Sequence, residues 1–144
     1  MTRTQQILNV WGDTVAHGQS IQTAHDLIPL LRKGLPYAAL ERTLNAFQLS
    51  REEISVVLDL PLRTLARRKK TQRLAADESD RLYRLTRILA HAEQALGTRE
   101  RAVQWLHRAN QALNHATPLQ LLDTDIGAEH VDQVLGRLEH GVFS

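Results

Sequence analysis

Apolar residues recur three and four positions apart along nearly the whole chain, the spacing that places them on one face of an α-helix. Leu40, Leu44 and Phe47 form one such face, and Ile54, Val57 and Leu58 a second. Leu82, Leu85, Leu89, Ala92 and Leu96 form the longest, read as core packing rather than as a dimer seam. Val131, Val134, Leu135 and Leu138 make another near the C-terminus. No stretch alternates apolar and polar residues as a half-buried strand would, and no Asn-Gly or Asp-Gly pair marks a hairpin. The pattern predicts an all-α protein.

Breakers and caps divide the pattern. Gly12 and Gly18 interrupt residues 1–34, which read as a helix near Gln5–Trp11 and another over Ile21–Lys33. Pro29 is placed to kink or divide the second, and Gly34 closes it. Packing against the next domain is the role expected of these residues. Ser50 with Glu53 three residues on forms a capping box for a helix over Arg51–Leu58. Asp59-Leu60-Pro61 is a tight connection into a helix over Leu62–Lys70. The longest helix is expected over 75–97, capped by Asp77 or Ser79 and ended by Gly97. Trp105 falls with Ala102, Leu106 and Ala109 on a helix and reads as core, whereas Trp11 could pack on the basic domain or on a partner. Thr117 can cap a turn with Pro118 at its first position, where a missing N–H costs nothing. Gly127 and Ala128 read as a break and restart, and Gly141 as a helix stop. The expected segments are 1–34, a helix-turn-helix region over 35–76, and a small C-terminal domain over 77–144.

Charge sharpens this division. The net charge of the 144 residues is only +2. Residues 61–116 nevertheless hold 12 basic and 5 acidic side chains, and residues 117–144 hold 1 basic and 5 acidic. A basic middle suits a polyanion, and an acidic end suits a different partner. There is no cysteine, hence no disulfide framework and no thiolate metal site. No apolar run reaches the length of a membrane span, and the N-terminus lacks a signal-peptide core. A cytoplasmic protein with no membrane partner is expected.

The segment SREEISVVLDLPLRTLARRKK has the order of a helix-turn-helix: short helix, tight turn, second helix. The second helix of that motif enters the major groove. Here it carries Arg63, Thr64, Arg67, Arg68, Lys69 and Lys70, the candidate DNA-binding residues. Arg63 and Arg67 lie one turn apart, suited to bidentate contacts with guanine, and the lysines suit phosphates. Leu62 and Leu65 are expected to anchor the helix from its other side. The alternative is a solvated basic face on a buried hairpin. The seven histidines, His17, His25, His91, His107, His115, His130 and His140, show no metal-ligand spacing. No nucleophile elbow, phosphate loop, dinucleotide fingerprint or paired-carboxylate motif is present, so neither an enzyme nor a cofactor is expected.

The chain finishes Gly141-Val142-Phe143-Ser144, an apolar ending that docks on its own domain or on something else. The ordered series TPLQLLDT, GAEHVDQVL and GRLEHG, with the tryptophan helix RAVQWLHRANQAL upstream, resembles the C-terminal domain of the Xre/MbcA/ParS antitoxins. With the helix-turn-helix, the resemblance covers about residues 35 to 144. The loop Asn110–Ala116 lacks the proline and glycine common there. The resemblance implies a RES-domain toxin that degrades NAD as partner, blocked when the antitoxin's C-terminal end covers its active site. Arg137, Glu139, His140, Gly141, Val142, Phe143 and Ser144 are then the candidate toxin-binding residues. It also implies repression of the chain's own operon through operator DNA, as a homodimer or a higher-order toxin–antitoxin complex. A stand-alone helix-turn-helix regulator with a non-toxin partner, or a helical adaptor, is the alternative.

Overall fold

The computed structural model describes residues 1–13, 15 and 20–141. In chain order these hold α1 (Arg3–Trp11), α2 (Ile28–Lys33), α3 (Tyr37–Ala46), α4 (Arg51–Val57), α5 (Leu62–Thr71), α6 (Ala76–Leu96), α7 (Arg99–Leu106) and α8 (Asp125–Glu139). Three 3₁₀ turns, Ala24–Leu27, Gln111–Leu113 and Leu119–Leu121, link them. Among the described residues the fold is all-α, with one isolated antiparallel bridge between Pro36 and Arg73.

The central element is α6, against which α1, α2, α7 and α8 all pack. Its stripe behaves as the periodicity predicts: Leu82, Leu85, Leu89 and Ala92 are buried and Leu96 packs partly against the core. Ile88 and Thr86 are buried as well, so α6 is covered on more than one side. A helix surrounded in this way contributes to the core on both sides, and one contiguous core results.

The first 34 residues belong to that core. Ile7, Val10 and Trp11 are buried where α1 lies on α3 and α6. The Trp11 indole N–H donates to Thr86 Oγ1 at 3.0 Å, and the ring meets Tyr83 edge-on with centroids 6.4 Å apart. Trp11 thus fills the core and satisfies its one polar atom there. Pro29 divides its segment by standing in the first turn of α2 after a 3₁₀ turn, where no helical hydrogen bond is lost. Gly34 lies at φ 99°, and a Cβ there would run into the Leu74 carbonyl oxygen. That close approach lets Leu74 N–H donate to Leu35 O at 2.9 Å and Tyr37 N–H to Gln72 O at 3.0 Å, fastening the end of α5 to the start of α3.

Several local expectations are corrected. α6 starts at Ala76 with Ala75 as its N-cap, so neither Asp77 nor Ser79 caps it. Glu78 takes the Ala75 N–H at 2.8 Å instead, and buried Ser79 accepts from Leu35 N–H at 2.7 Å. Gly127 does not break the chain. It lies inside α8, which Thr124 caps by accepting the Gly127 N–H at 3.0 Å. Its missing side chain is required because a Cβ would collide with the Leu121 carbonyl oxygen. Trp105 is half-buried at the edge of the core rather than inside it. The loop Asn110–Ala116 turns without glycine because Asn114 and His115 adopt φ of 58° and 66°. Asn tolerates that left-handed region better than most residues. Thr117 and Gln120 cap the 3₁₀ turn reciprocally, with N–H to side-chain oxygen distances of 2.9 and 3.2 Å.

Candidate DNA-reading and partner-binding surfaces

The helix-turn-helix is built from α4 and α5. Ser50 Oγ accepts the Glu53 N–H at 3.0 Å while Glu53 Oε1 accepts the Ser50 N–H at 2.8 Å, the capping box read from SREE. Ile54 and Val57 bury the inner side of α4. The turn reverses through Asp59, whose φ is 52°. Its carbonyls would be orphaned at the helix end. Arg81 of α6 donates to the Leu58 and Asp59 oxygens, and Ser55 Oγ donates to Leu60 O. The turn is thereby fastened both to α4 and to the central helix.

On α5, Leu65 is the anchor, 1% exposed. Leu62 is not: it is 46% exposed, whereas Leu60 of the turn is buried. Arg63, Arg67, Lys69 and Lys70 are exposed and Thr64 is half-buried beside them. Arg68 departs from the expected set. Its guanidinium turns back and forks onto Glu78, Nε to Oε1 at 2.8 Å and Nη2 to Oε2 at 2.9 Å. Glu78 is buried, and burial pushes its carboxyl up. The Arg68 fork and the Ala75 N–H outweigh that and hold it below its ordinary value of 4.5. Arg68 is occupied in holding α5 onto α6, which leaves four exposed cations on α5 for an external polyanion.

The C-terminal domain rests on α6 through α8, whose Ala128, Val131, Val134 and Leu135 are buried. Polar contacts fix its register. Asp125 pairs with Arg84. His91, only 8% exposed, places Nδ1 2.6 Å from Asp132 Oδ1 and Nε2 3.5 Å from Glu139 Oε1. The hydrogen bond from His91 holds the Asp132 carboxyl below its ordinary value. Glu139, an expected partner-binding residue, is therefore turned toward α6. Arg137, His140 and Gly141 are exposed, and Arg137 and His140 line a shallow groove of about 410 Å³ with Gln133 and Gly136. Val142, Phe143 and Ser144, the apolar ending, lie outside the described residues, as does His17.

Glu53 also meets His107 Nε2 at 3.0 Å, joining the start of α4 to the end of α7. Neither this pair nor the Arg68–Glu78, Arg81–turn and His91–Asp132 contacts is visible in sequence spacing, since each joins residues on different elements. Among the described residues no group of His, Asp and Glu converges as a metal site, and no helix is long and apolar enough to cross a membrane.

A capped helix, a tight turn, an outward basic helix and further helices sharing the same central helix define a helix-turn-helix protein with an appended helical domain. A family model described as the antitoxin Xre-like helix-turn-helix domain matches residues 26–87, and one described as the antitoxin Xre/MbcA/ParS C-terminal toxin-binding domain matches residues 91–141. The chain is 32% identical over 117 residues to Antitoxin Xre of Photorhabdus laumondii, covering 80% of this chain and 79% of that relative. It is 37% identical over 94 residues, 64% of each chain, to Antitoxin Xre of Yersinia enterocolitica. The Prs ADP-ribosylating antitoxin of a Sphingobium species is 24% identical over 129 residues, 83% of this chain and 81% of that one. The chain belongs to the Xre antitoxin family, a family of antitoxins rather than enzymes. The first match takes in α2 and the first half of α6, wider than the 35–76 expected for the DNA-binding region, and the two matches meet within α6.

Proposed function

We propose that this protein neutralises a RES-domain toxin that consumes NAD, by laying its C-terminal segment over the toxin's active site, and that it represses its own operon through α5. The observation that carries the first half is the match of residues 91–141 to a toxin-binding domain, ending where the apolar residues Val142 and Phe143 begin. Arg137, His140 and Gly141 stand exposed at the base of that ending. The mechanism is steric: an apolar plug with polar hydrogen bonds entering a concave pocket. A relative whose name speaks of ADP-ribosylation supports an NAD-using partner, since ADP-ribosyl transfer draws on the same donor.

The second half rests on the exposed cations Arg63, Arg67, Lys69 and Lys70, of which Arg63, Arg67 and Lys70 share one face of a helix whose inner side is anchored. Operators of such proteins are symmetric, so a homodimer or a larger toxin–antitoxin assembly is the form that binds DNA.

The test is NAD consumption by the adjacent gene's product, titrated with the full chain and with a chain ending at His140. Inhibition by the full chain alone is the expected result. Equal inhibition by both would move the blocking surface onto the helices before the tail. Neither inhibition nor a complex would leave a stand-alone DNA-binding regulator.

A further inference from the structure

We infer that the outward face of α8, from Ile126 to His140, is itself a docking surface for the toxin, with Ile126 as its apolar anchor and Gly136 as the point of closest approach. This rests on the toxin-binding reading above and extends it from the tail to the helix.

The inner side of α8 is used against α6 and the 3₁₀ turns Gln111–Leu113 and Leu119–Leu121. Opposite it, Ile126, Glu129, Gln133, Gly136 and His140 follow at alternating spacings of three and four. At 100° per residue they fall within an arc of about 80°. Two members of this stripe are odd in opposite ways. Ile126 is a large aliphatic side chain that is 82% exposed, in a segment otherwise lined by Asp123, Asp125 and Glu129. One exposed aliphatic residue is ordinary, and it becomes informative only with the second.

The second is Gly136. Glycine in a helix interior is disfavoured more than any residue but proline. Gly127, in the same helix, has an internal reason, since a Cβ there would strike Leu121. Gly136 has none: a Cβ on it would meet nothing within 4 Å among the described residues. The helix keeps a weak residue that its own packing does not require, at the floor of the groove formed with Gln133, Arg137 and His140. A missing side chain at this point leaves the backbone open to close approach from outside.

The occupant is the toxin rather than a second copy of this chain. The stripe lies wholly within the segment matched as toxin-binding, and it reaches His140, next to Gly141, the last described residue. The complementary toxin surface is an apolar pocket for Ile126 with basic residues at its rim, facing Asp123 and Glu129. A backbone segment of the toxin lies flat over Gly136.

The test uses the full chain and the adjacent gene's product, with affinity measured by calorimetry. Gly136→Ala is expected to melt higher than the parent by about 3 °C, because alanine favours the helix, yet to bind the toxin more weakly. Gly136→Leu and Ile126→Asp are expected to retain the parent's helical content and to bind at least about tenfold more weakly. Absence of binding by the parent chain would overturn the toxin-binding reading and this inference with it. Binding by the parent with all three variants within about twofold would overturn the inference alone. Variants that lose self-association in sedimentation but keep toxin affinity would assign the face to a second copy, and would likewise overturn it.

Discussion

Arg68 on α5 and Glu78 on α6 face each other as a two-pronged fork, at 2.8 and 2.9 Å, across the turn that follows the basic helix. The carboxylate is buried and the guanidinium mostly covered, so each needs the other. Arg68→Ala should destabilise the fold by about 2 kcal/mol, because it leaves a buried carboxylate with only the Ala75 N–H. The double change Arg68→Ala with Glu78→Gln should cost less than the two single changes together. Urea midpoints of the four proteins would check this, and strict additivity would refute the coupling.

The same carboxylate sets a pH dependence. Its folded value is depressed below 4.5, so its contribution to stability is complete above about that pH and is lost as pH falls through the folded value. Asp132, depressed by His91, adds a second contribution of the same sign, lost below its ordinary 3.8. Thermal melts from pH 7 down to about pH 3 should show a falling stability that begins near pH 5. In Glu78→Gln the upper part of that fall should be flattened.

DNA affinity should separate the cations of α5. Arg63→Ala and Arg67→Ala are each expected to weaken operator binding by about tenfold and to relax discrimination between operator and random sequence. Lys69→Ala and Lys70→Ala should weaken all sequences alike, each lowering the slope of log affinity against log salt by about one. Arg68→Ala, compared where it is fully folded, should leave that slope unchanged. Fluorescence anisotropy across a salt series distinguishes the three classes.

Gly127 should be intolerant of any side chain. Gly127→Ala places a methyl against the Leu121 carbonyl, and the expected cost is about 2 kcal/mol despite the better helix propensity of alanine. Calorimetric melting would settle the sign, and stabilisation would show that the turn before α8 can yield.

The parts of this fold that were legible in the sequence are those written in local spacing. Ser50 and Glu53 are three apart and hydrogen-bond as such boxes do. The α6 stripe reports its own burial, and the cations of α5 announce an exposed face. Spacing misleads where tertiary contacts decide. Gly127 looks like a breaker until the Leu121 carbonyl beside it is seen, and Thr124, a good capping residue, was the available signal for a helix start. Leu62 has the spacing of an anchor, but it is Leu60, in the turn, that is buried. Arg68 shares its composition with its basic neighbours, and only the fold brings Glu78 within reach of it.

One rod, α6, runs unbroken for 21 residues, about 32 Å. The segment matched as helix-turn-helix ends and the segment matched as toxin-binding begins along its length. Two modules cut from a single rod have no swivel between them, unlike beads on a string. If α5 reads a groove as proposed, the angle at which it is offered is set by wherever α8 is held. In the multi-copy assembly proposed above, the packing of the protein partners would then act as a template for the phase and separation of the DNA sites it can bridge.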